Sequence, residues 1–189
     1  MKWLPRRSFL QLAAAALPGS YVLAQTPVSS ASTTPVLVRA GKDREDKTRS
    51  VGVSSTTYKV LTADTSGAMF VMEQGNTKKG GPSRHLHFSQ DELFFVMEGE
   101  YLVEIGADRF HLKAGDCVLG PRGVPHAWAF VGDSTGRMLL TYSPAGKMEE
   151  FFNHREQLGI AKGAYASSKD ADVMRSYVME LLGPPLKLD

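Results

Sequence analysis

The sequence predicts an all-β fold, a small barrel or sandwich of strands followed by helices. Between Tyr58 and Pro144, short apolar runs alternate with Gly, Pro, Ser and Asp at regular spacing. This pattern is typical of many short strands joined by tight turns. After Pro144 the spacing of apolar residues becomes helical. The 189 residues are long enough for one domain with one hydrophobic core.

The first residues have the layout of an export signal. The stretch "MKWLPRRSFLQLAAAALPGSYVLAQ" combines a basic start, an apolar run and the small-residue segment VLA, which ends at Ala24. We therefore expect residues 1–24 to be a signal peptide. The pair Arg6 and Arg7, followed by Ser-Phe-Leu, resembles a twin-arginine signal, and an ordinary secretory leader is the alternative. The apolar run is too short for a permanent membrane anchor, so both alternatives predict a periplasmic or secreted protein.

Composition excludes some classes of partner. Without the three basic residues of the leader, 19 basic and 20 acidic residues remain, and this balance does not favour binding to nucleic acid or to an anionic membrane surface. Cys117 is the only cysteine, so no intrachain disulfide can form, and we expect it to be a small buried hydrophobe. Residues 25–50 are predicted to be a linker or N-terminal arm, in which the mixed charges of Lys42–Arg49 form a solvated loop.

Each strand pair of the predicted barrel has its own turn signal. The segment "YKVLTADTSGAMFVMEQG" predicts a hairpin that turns at Ser66 and Gly67. Further turns are expected at Gly106–Asp108, at Gly115 and at Pro121–Gly123. The segment "GRMLLTYSP" is the last predicted strand, which places the barrel at residues 51–146.

The end of the chain, residues 147–189, is predicted to be helical. Met148–Gln157 forms one expected helix, and from Ala171 onward apolar side chains recur on one face of a second. These side chains are Val173, Met174, Tyr177, Val178, Leu181 and Leu182. Gly183 and Pro184 are expected to end this helix. Such a face packs either on the protein's own barrel or on a second subunit, so a homodimer is one of the two alternatives.

The stretch "RHLHFSQDELFFVMEGE", residues 84–100, contains candidate metal ligands. His85 and His87 are two residues apart, so both imidazoles lie on the same face of a strand. Glu92 is an odd number of residues after His87, but the turn signal "SQD" can reset the alternation and bring its carboxylate in from the next strand. His126, after a Gly-Pro-Arg-Gly turn, is a fourth candidate.

These residues carry a resemblance to a known family. The segment "HLHFSQDELFFVMEG" resembles the first cupin motif through His85, His87, Glu92 and Gly99. The segment "GDCVLGPRGVPHAWAF" is similar to the second motif through Gly115, Pro121, Gly123 and His126. Two positions depart from the family pattern: Gly80 is one residue closer to His85 than usual, and Phe130 replaces the final asparagine. The resemblance covers about Thr57–Pro144 and is far more specific than a lone His-x-His.

The resemblance implies a jelly-roll β barrel that binds one divalent metal ion through His85, His87, Glu92 and His126. This ligand set suits iron, manganese, nickel, copper, cobalt or zinc and does not choose among them. His111 and His154 match neither motif, so we expect them at the surface or around the ligands. A single unit excludes the two-barrel architecture of oxalate decarboxylases unless two chains pair.

The neighbours of the ligands predict an aromatic pocket. Alternate residues share a face with Glu92 on one strand and with His126 on another. The predicted pocket-lining residues are Phe94, Val96, Trp128 and Phe130. Plain core packing is the alternative for all four. Aromatic walls favour a small aromatic or enolisable substrate over oxalate, and Arg84 and Arg122 are expected outside the cavity.

The leading functional hypothesis is a metal-dependent oxygenase similar to the quercetin 2,3-dioxygenase-like cupins. In this hypothesis the three histidines hold the ion, and Glu92 is either a further ligand or a base that takes a proton from the substrate. Two alternatives stay open because one fold hosts many activities. One is a non-catalytic periplasmic protein that binds a small ligand through the metal, and the other is an isomerase or lyase that needs no oxygen.

Overall fold

The computed structural model describes residues 34–52, 54–157 and 168–188. The predicted signal peptide and residues 25–33 of the predicted linker lie outside these ranges, so both stay predictions. Within the described ranges, none of the helices is long and apolar enough to cross a bilayer.

The described residues form eleven strands in two antiparallel sheets. The strands are β1 (Arg49–Val51), β2 (Ser54–Val60), β3 (Phe70–Asn76), β4 (Ser83–His87), β5 (Asp91–Glu98), β6 (Glu100–Ile105), β7 (Asp108–Lys113), β8 (Cys117–Gly120), β9 (His126–Phe130), β10 (Gly136–Ser143) and β11 (Met179–Pro185). One sheet has the order β1-β2-β3-β10-β5-β8, and the other has the order β11-β4-β9-β6-β7. Non-consecutive neighbours such as β3 and β10 show that the chain crosses repeatedly between the two sheets, which confirms the predicted jelly roll.

The core lies between the two sheets and follows from the alternation of side chains along each strand. In β10, for example, every second residue from Gly136 to Tyr142 is buried. Both sheets contribute aromatic side chains that are almost fully excluded from solvent, namely Phe70, Phe94, Tyr101 and Phe130. Each such side chain removes a large apolar area from water, so this layer is the main source of stability.

The predicted turns are present. Between β2 and β3 a short 3-10 helix, Thr62–Thr65, leads into Ser66 and Gly67, whose φ angles are 52° and 87°. This left-handed backbone is easy for glycine and unusual for other residues, so Gly67 suits the reversal. The turns between β6 and β7 and between β8 and β9 also fall where the sequence indicated.

The C-terminal region is helical only in part. Helix α1 (Met148–Gln157) confirms the first predicted helix. Helix α2 (Ser168–Ser176) ends six residues earlier than expected, so the prediction of one helical face through Leu182 is wrong. Val178, with a φ of 61°, interrupts the helix, and β11 then pairs antiparallel with β4. Without β11, the backbone groups at the edge of β4 would be unpaired. The hydrogen bonds that β11 makes with this edge outweigh the local preference for a helix.

The charged run of the N-terminal arm is not simply a solvated loop. Arg49 begins β1, and both Arg49 and Asp43 are buried. The Arg49 guanidinium contacts Asp43 at 3.3 Å and reaches α1, where it donates to Asn153 at 3.1 Å and Glu156 at 2.9 Å. A buried charge is stable only when it is paired in this way, and the arm therefore attaches α1 to the barrel.

Cys117 is also placed differently from the expectation. It is exposed at the start of β8, an edge strand of the six-stranded sheet. The residue after it, Val118, faces the barrel interior and packs against the core. Because side chains alternate along a strand, Cys117 faces outward. The sequence did not settle which of these two neighbouring residues points into the barrel.

Candidate metal centre

Strands from both sheets bring the four predicted ligands together. His85 and His87 lie on β4, and His126 is the first residue of β9, directly opposite His85 in the register of the two strands. Glu92 is the second residue of β5 in the other sheet. The chain between His87 and Asp91 leaves one sheet and enters the other, so the predicted reset of the alternation occurs and Glu92 points inward.

The four side chains form one compact cluster. One nitrogen or oxygen atom from each lies within 4.8 Å of the corresponding atoms of the other three. Oε2 of Glu92 is 3.0 Å from Nε2 of His126 and 3.1 Å from Nε2 of His87. His87, Glu92 and His126 are buried, whereas His85 is partly accessible from the neighbouring cavity. Four donor atoms of these types at this spacing are what a transition metal ion requires.

The hydrogen bonds of the histidines favour a cation between the side chains. Nδ1 of His85 lies 2.8 Å from the Ser83 carbonyl, and Nδ1 of His126 lies 3.0 Å from the Val124 carbonyl. A carbonyl only accepts, so each Nδ1 carries the proton, and a neutral ring then presents an unprotonated Nε2. Nε2 of His126 therefore faces the Glu92 carboxylate, which is also an acceptor. A metal ion between these two acceptor atoms would remove their repulsion. Metal-binding histidines commonly have this arrangement, in which a backbone carbonyl accepts from one ring nitrogen while the other nitrogen faces the metal.

The third imidazole points to the same conclusion. Neither ring nitrogen of the buried His87 has a hydrogen bond of acceptable geometry within the described part of the chain, although Nε2 is close to Glu92. An unpaired polar group costs free energy when it is buried. Coordination of a metal by Nε2 would remove part of that cost, so the residues present fit a bound ion.

The electrostatics of the cluster keep its ligands in their metal-binding forms. Burial, together with the neighbouring His126 and His87, lowers the pKa of His85 to about 3, so this imidazole is neutral at neutral pH. For Glu92, burial is the largest single influence and raises the pKa. The close approach of the His126 and His87 rings outweighs burial and holds the pKa of the carboxyl well below its usual range. The site therefore presents a carboxylate and a neutral imidazole.

A cavity of about 260 Å³ adjoins the cluster. His85, His87 and Glu92 line its metal end. Most of the remaining wall is apolar and consists of Val51, Pro82, Trp128, Leu140, Tyr142, Met148, Phe151, Phe152, Met174, Met179 and Pro185. Ser54 and Gln74 add polar side chains, Tyr142 and Trp128 each carry one polar group on an otherwise apolar ring, and none of the described lining residues is a lysine or an arginine. The cavity is at the small end of the range for ligand sites and suits a largely apolar molecule.

Only one of the four predicted pocket residues lines this cavity. Trp128 does so, whereas Phe94, Val96 and Phe130 lie in the core between the sheets and are at most 1% exposed. They share strand faces with the ligands, as predicted, but they lie deeper in the barrel, where neighbouring side chains fill the interior. For these three residues, core packing, which was the alternative, is correct.

The walls that the sequence did not indicate come from the flanks of the barrel. Helix α1 supplies Met148, Phe151 and Phe152, and Met174 and Met179 come from α2 and β11. The sequence predicted α1 as a helix and apolar periodicity predicted a packed face on the second helix, but no local signal indicates that these segments close a ligand cavity. The orienting carbonyls of Ser83 and Val124 are backbone groups and are invisible to motif reasoning.

The remaining histidines and the two arginines beside the motifs lie outside the cluster. His111 pairs with Glu100 at the surface, at 3.1 Å, and Nδ1 of His154 is 3.0 Å from the Tyr177 hydroxyl. Arg84 pairs with Glu104, and Arg122 pairs with Asp91 and holds the pKa of that exposed carboxyl at about 2. Neither arginine lines the cavity.

The two positions that depart from the cupin pattern contact each other. The backbone groups of Gly80 and Phe130 exchange two hydrogen bonds, at 3.0 and 2.9 Å, just beyond β9. The ring of Phe130 is buried against Tyr101, with 5.4 Å between the ring centroids. Phe130 is therefore a core residue. Its presence where the cupin motif has an asparagine leaves the four candidate ligands unchanged.

Comparison with known proteins agrees with this architecture. Residues 68–142 match the cupin domain family. Among curated proteins, polyketide synthase CurC of Streptomyces cyaneus is 32% identical over 62 residues, which are 33% of this chain and 40% of that protein. An uncharacterised protein of Methanocaldococcus jannaschii is 26% identical over 66 residues, 35% of this chain and 53% of the relative. The chain thus spans about half or less of the length of these relatives.

Solved structures show the same fold at low sequence identity. A "predicted oxalate decarboxylase" from Thermotoga maritima superposes with a TM-score of 0.52 at 14% identity and covers 58% of this chain and 99% of its own. KdgF from Halomonas sp. superposes with a TM-score of 0.50 at 17% identity, over 59% of this chain and 94% of its own. Together with the two antiparallel sheets, these superpositions show a cupin-type jelly-roll fold, and residues 68–142 are the part of the chain that matches the cupin domain family.

Proposed function

We propose that this protein is a metal-dependent oxygenase that acts on a small aromatic or enolisable substrate. The observation that carries the proposal is the combination of a His-rich ligand cluster with an apolar, partly aromatic cavity that contains no cationic side chain among its described lining residues. Oxalate or a sugar phosphate would require cationic or amide donors around its charges. A neutral organic molecule with one oxygen atom directed at the metal fits these walls better.

The ligand cluster fits a divalent transition metal. His85, His87, Glu92 and His126 would hold it, and iron, manganese, nickel, copper, cobalt and zinc all suit this donor set. When bound, such an ion supplies a Lewis acid for a substrate oxygen and, if it is redox-active, electrons for reaction with dioxygen. The carbonyls of Ser83 and Val124 keep two of the imidazoles in the required tautomer.

Glu92 is the residue of this chain that can move a proton. Its Oε2 atom lies between His87 and His126, so the carboxylate is either a further ligand or, when turned toward the cavity, a base that accepts a proton from an enolisable carbon or a phenol. The low pKa of Glu92 makes it a weak base as long as both imidazoles contact it. A base role therefore requires the carboxylate to leave these contacts.

The walls of the cavity control orientation and exclude water. Trp128, Phe151 and Phe152 offer flat apolar surfaces to the cavity, and Tyr142 lies next to His87 with 5.6 Å between ring centroids. Aromatic surfaces hold a planar substrate in one plane. Exclusion of bulk water protects reactive species from hydrolysis and strengthens the electrostatic interactions of the site.

We place this activity in the periplasm, or outside the cell, after removal of residues 1–24. The resemblance of "RRSFL" to a twin-arginine signal supports this location. Export in the folded state would allow the metal to be inserted before export, where the cell controls which ion is available.

The first experiment measures metal content and oxygen consumption together. Protein purified without chelators from its native compartment is compared with a His85→Ala, His87→Ala double variant by elemental analysis, and then by oxygen uptake with phenols and enolisable diketones. We expect about one redox-active metal per chain, lost in the double variant, and oxygen uptake that depends on the metal. His111→Ala is the matched control, since this histidine lies at the surface and outside the cluster.

The same experiment separates the proposal from its alternatives. Metal-loaded protein that binds these compounds saturably, before and after Glu92→Gln, but consumes no oxygen would indicate a binding protein. Turnover without oxygen would indicate an isomerase or lyase. Absence of metal from the parent protein would refute the metal centre and the oxygenase with it.

A further inference from the structure

A second polar group faces the cavity away from the metal ligands. Gln74, on β3, lines the cavity and is only 4% exposed to solvent, yet its Oε1 atom has no hydrogen-bond partner within the described part of the chain. A buried amide oxygen without a hydrogen-bond partner costs free energy, so such groups are uncommon unless a ligand or water satisfies them.

The strand register places Gln74 far from the metal. On β10, Tyr142 is opposite Glu92, whereas Met138 is opposite Gln74. Four residues of strand, at about 3.3 Å each, separate these two levels, which is about 13 Å along the sheet. The cavity therefore has two polar ends with an apolar wall between them.

Ser54 gives the distal end a second hydrogen-bonding group. Ser54 lines the cavity, and its Oγ accepts a hydrogen bond from the side-chain amide of Asn76 at 2.8 Å. Asn76 is itself held because its Oδ1 accepts from the Tyr101 hydroxyl at 3.0 Å. This chain of bonds occupies one lone pair of Ser54 and leaves its hydroxyl proton to donate. Gln74 can rotate its amide to offer either a donor or an acceptor.

The distal end carries no charge of its own. The nearest cations on these strands, Lys59 and Arg137, both pair with Glu73, which neighbours Gln74 and faces the other side of the sheet. A carboxylate or phosphate would therefore find no cationic partner there. A neutral hydroxyl or amide group, which both donates and accepts, matches the combination of Gln74 and Ser54.

We propose that Gln74 and Ser54 bind a neutral hydroxyl or amide group at the end of the substrate opposite its metal-binding oxygen. This inference rests on the proposed function in one respect, namely that the other end of the substrate binds the metal. The substrate class is then an elongated aromatic molecule with an enol, ketone or phenol oxygen at one end and a neutral hydrogen-bonding group at the other. Gln74 is a specificity residue and takes no part in the chemistry.

The test uses two ligands that differ by one hydroxyl. They are 1-phenylbutane-1,3-dione and its 4-hydroxyphenyl analogue, titrated calorimetrically into protein loaded with zinc, which does not turn the ligand over with oxygen. We expect the hydroxylated diketone to bind about three- to tenfold more tightly, since a buried neutral hydrogen bond contributes a factor in that range. Gln74→Leu should remove this preference while it leaves the affinity for the unsubstituted diketone the same or higher.

Two further variants keep the test decisive. Thr56→Val is the matched control: Thr56 is directly opposite Gln74 on β2, its buried hydroxyl is unpaired within the described residues, and it does not line the cavity. This variant should retain the preference. Ser54→Ala should reduce the preference for the hydroxylated diketone. If Gln74→Leu does not fold, this result tests the distal site in its place.

The outcomes are separable from those of the proposed function. A parent protein that binds neither diketone, or binds both equally, would overturn the distal site. An unchanged preference for the hydroxylated diketone in Gln74→Leu would also overturn it. If Gln74→Leu does not fold, an unchanged preference in Ser54→Ala has the same meaning. Lack of oxygen uptake in the iron-loaded parent would refute the oxygenase, but it would leave a measured preference for the hydroxylated ligand intact.

Discussion

The metal ligands and the cavity walls come from different parts of the chain. All four ligands lie between residues 85 and 126, inside the segment that matches the cupin domain family. Much of the wall lies outside that segment, on β1, β2, α1, α2 and β11. The barrel therefore supplies the candidate metal ligands, while its flanks shape much of the adjoining cavity. Relatives that share only the barrel need not share the substrate, which is why function cannot be read from the fold alone.

The largest expected effect concerns the attachment of one flank to the barrel. Arg49→Ala removes a buried cation that contacts Asp43, Asn153 and Glu156 and leaves the Asp43 carboxylate without its charged partner. Breaking a buried ion pair in this way costs about 3–5 kcal/mol. Urea unfolding should show this loss, while elemental analysis shows that metal binding persists in the folded fraction.

Lys47→Ala is the control for the Arg49 variant. Lys47 pairs with Glu45 at the exposed surface of the same loop, and its removal should change stability by less than about 1 kcal/mol. Loss of metal binding in folded Arg49→Ala would contradict the division between a barrel that holds the metal and flanks that form the walls.

A second prediction concerns the metal end and its response to pH. In metal-free protein the pKa of His85 falls from an ordinary value of about 6.5 to about 3. The unfolded chain therefore binds a proton that the folded protein does not, and stability should fall as the pH drops through this window. The slope due to this residue is at most about 1.4 kcal/mol per pH unit. Above pH 6.5 its contribution is constant.

Urea unfolding of metal-free protein at pH 7, 6 and 5 measures this slope. His85→Gln should flatten it, whereas His111→Gln, at an exposed position, should not. Bound metal should leave the contribution of His85 to this slope unchanged, because the folded imidazole carries no proton in this pH range with or without the ion. An identical slope in the parent and in His85→Gln would show that burial does not depress the pKa of this residue.

The smallest expected effect lies in the other flank, between α2 and β11. Val178 has a φ of 61°, a left-handed conformation that costs a residue with a side chain about 1–2 kcal/mol. Glycine adopts it freely but loses more entropy on folding. Val178→Gly should therefore raise the free energy of unfolding by about 0.5–1 kcal/mol, as measured in urea. A destabilised variant would mean that contacts of the valine side chain outweigh the backbone strain.

The sequence predicted the clustering of the four candidate ligands well because their positions obey local rules. His85 and His87 share a strand face by alternation, and the turn after His87 redirects the chain so that Glu92 enters from the other sheet. The turn before His126 places that residue at the start of its strand. Each of these steps depends on only a few neighbouring residues, so pattern and spacing were sufficient.

The cavity was predicted less well because it depends on contacts between distant segments. Phe94, Val96 and Phe130 have the correct face but lie too deep in the barrel, and strand alternation carries no information about depth. The strand after Ser176 was predicted as a helix. It forms because it pairs with the edge of β4, and no pattern within the C-terminal segment itself indicates that pairing. Buried charges such as Asp43 and Arg49 look solvated until their partners on α1 are known.

By itself, then, the sequence determined the class of fold and the convergence of four candidate metal ligands, because periodicity, turn chemistry and motif spacing act over a few residues. Tertiary structure alone decided which side chains line the cavity, which edge β11 covers and where Gln74 is left without a partner. Those features arise when segments far apart in the chain compete for the same buried space and for the same unpaired backbone and side-chain groups.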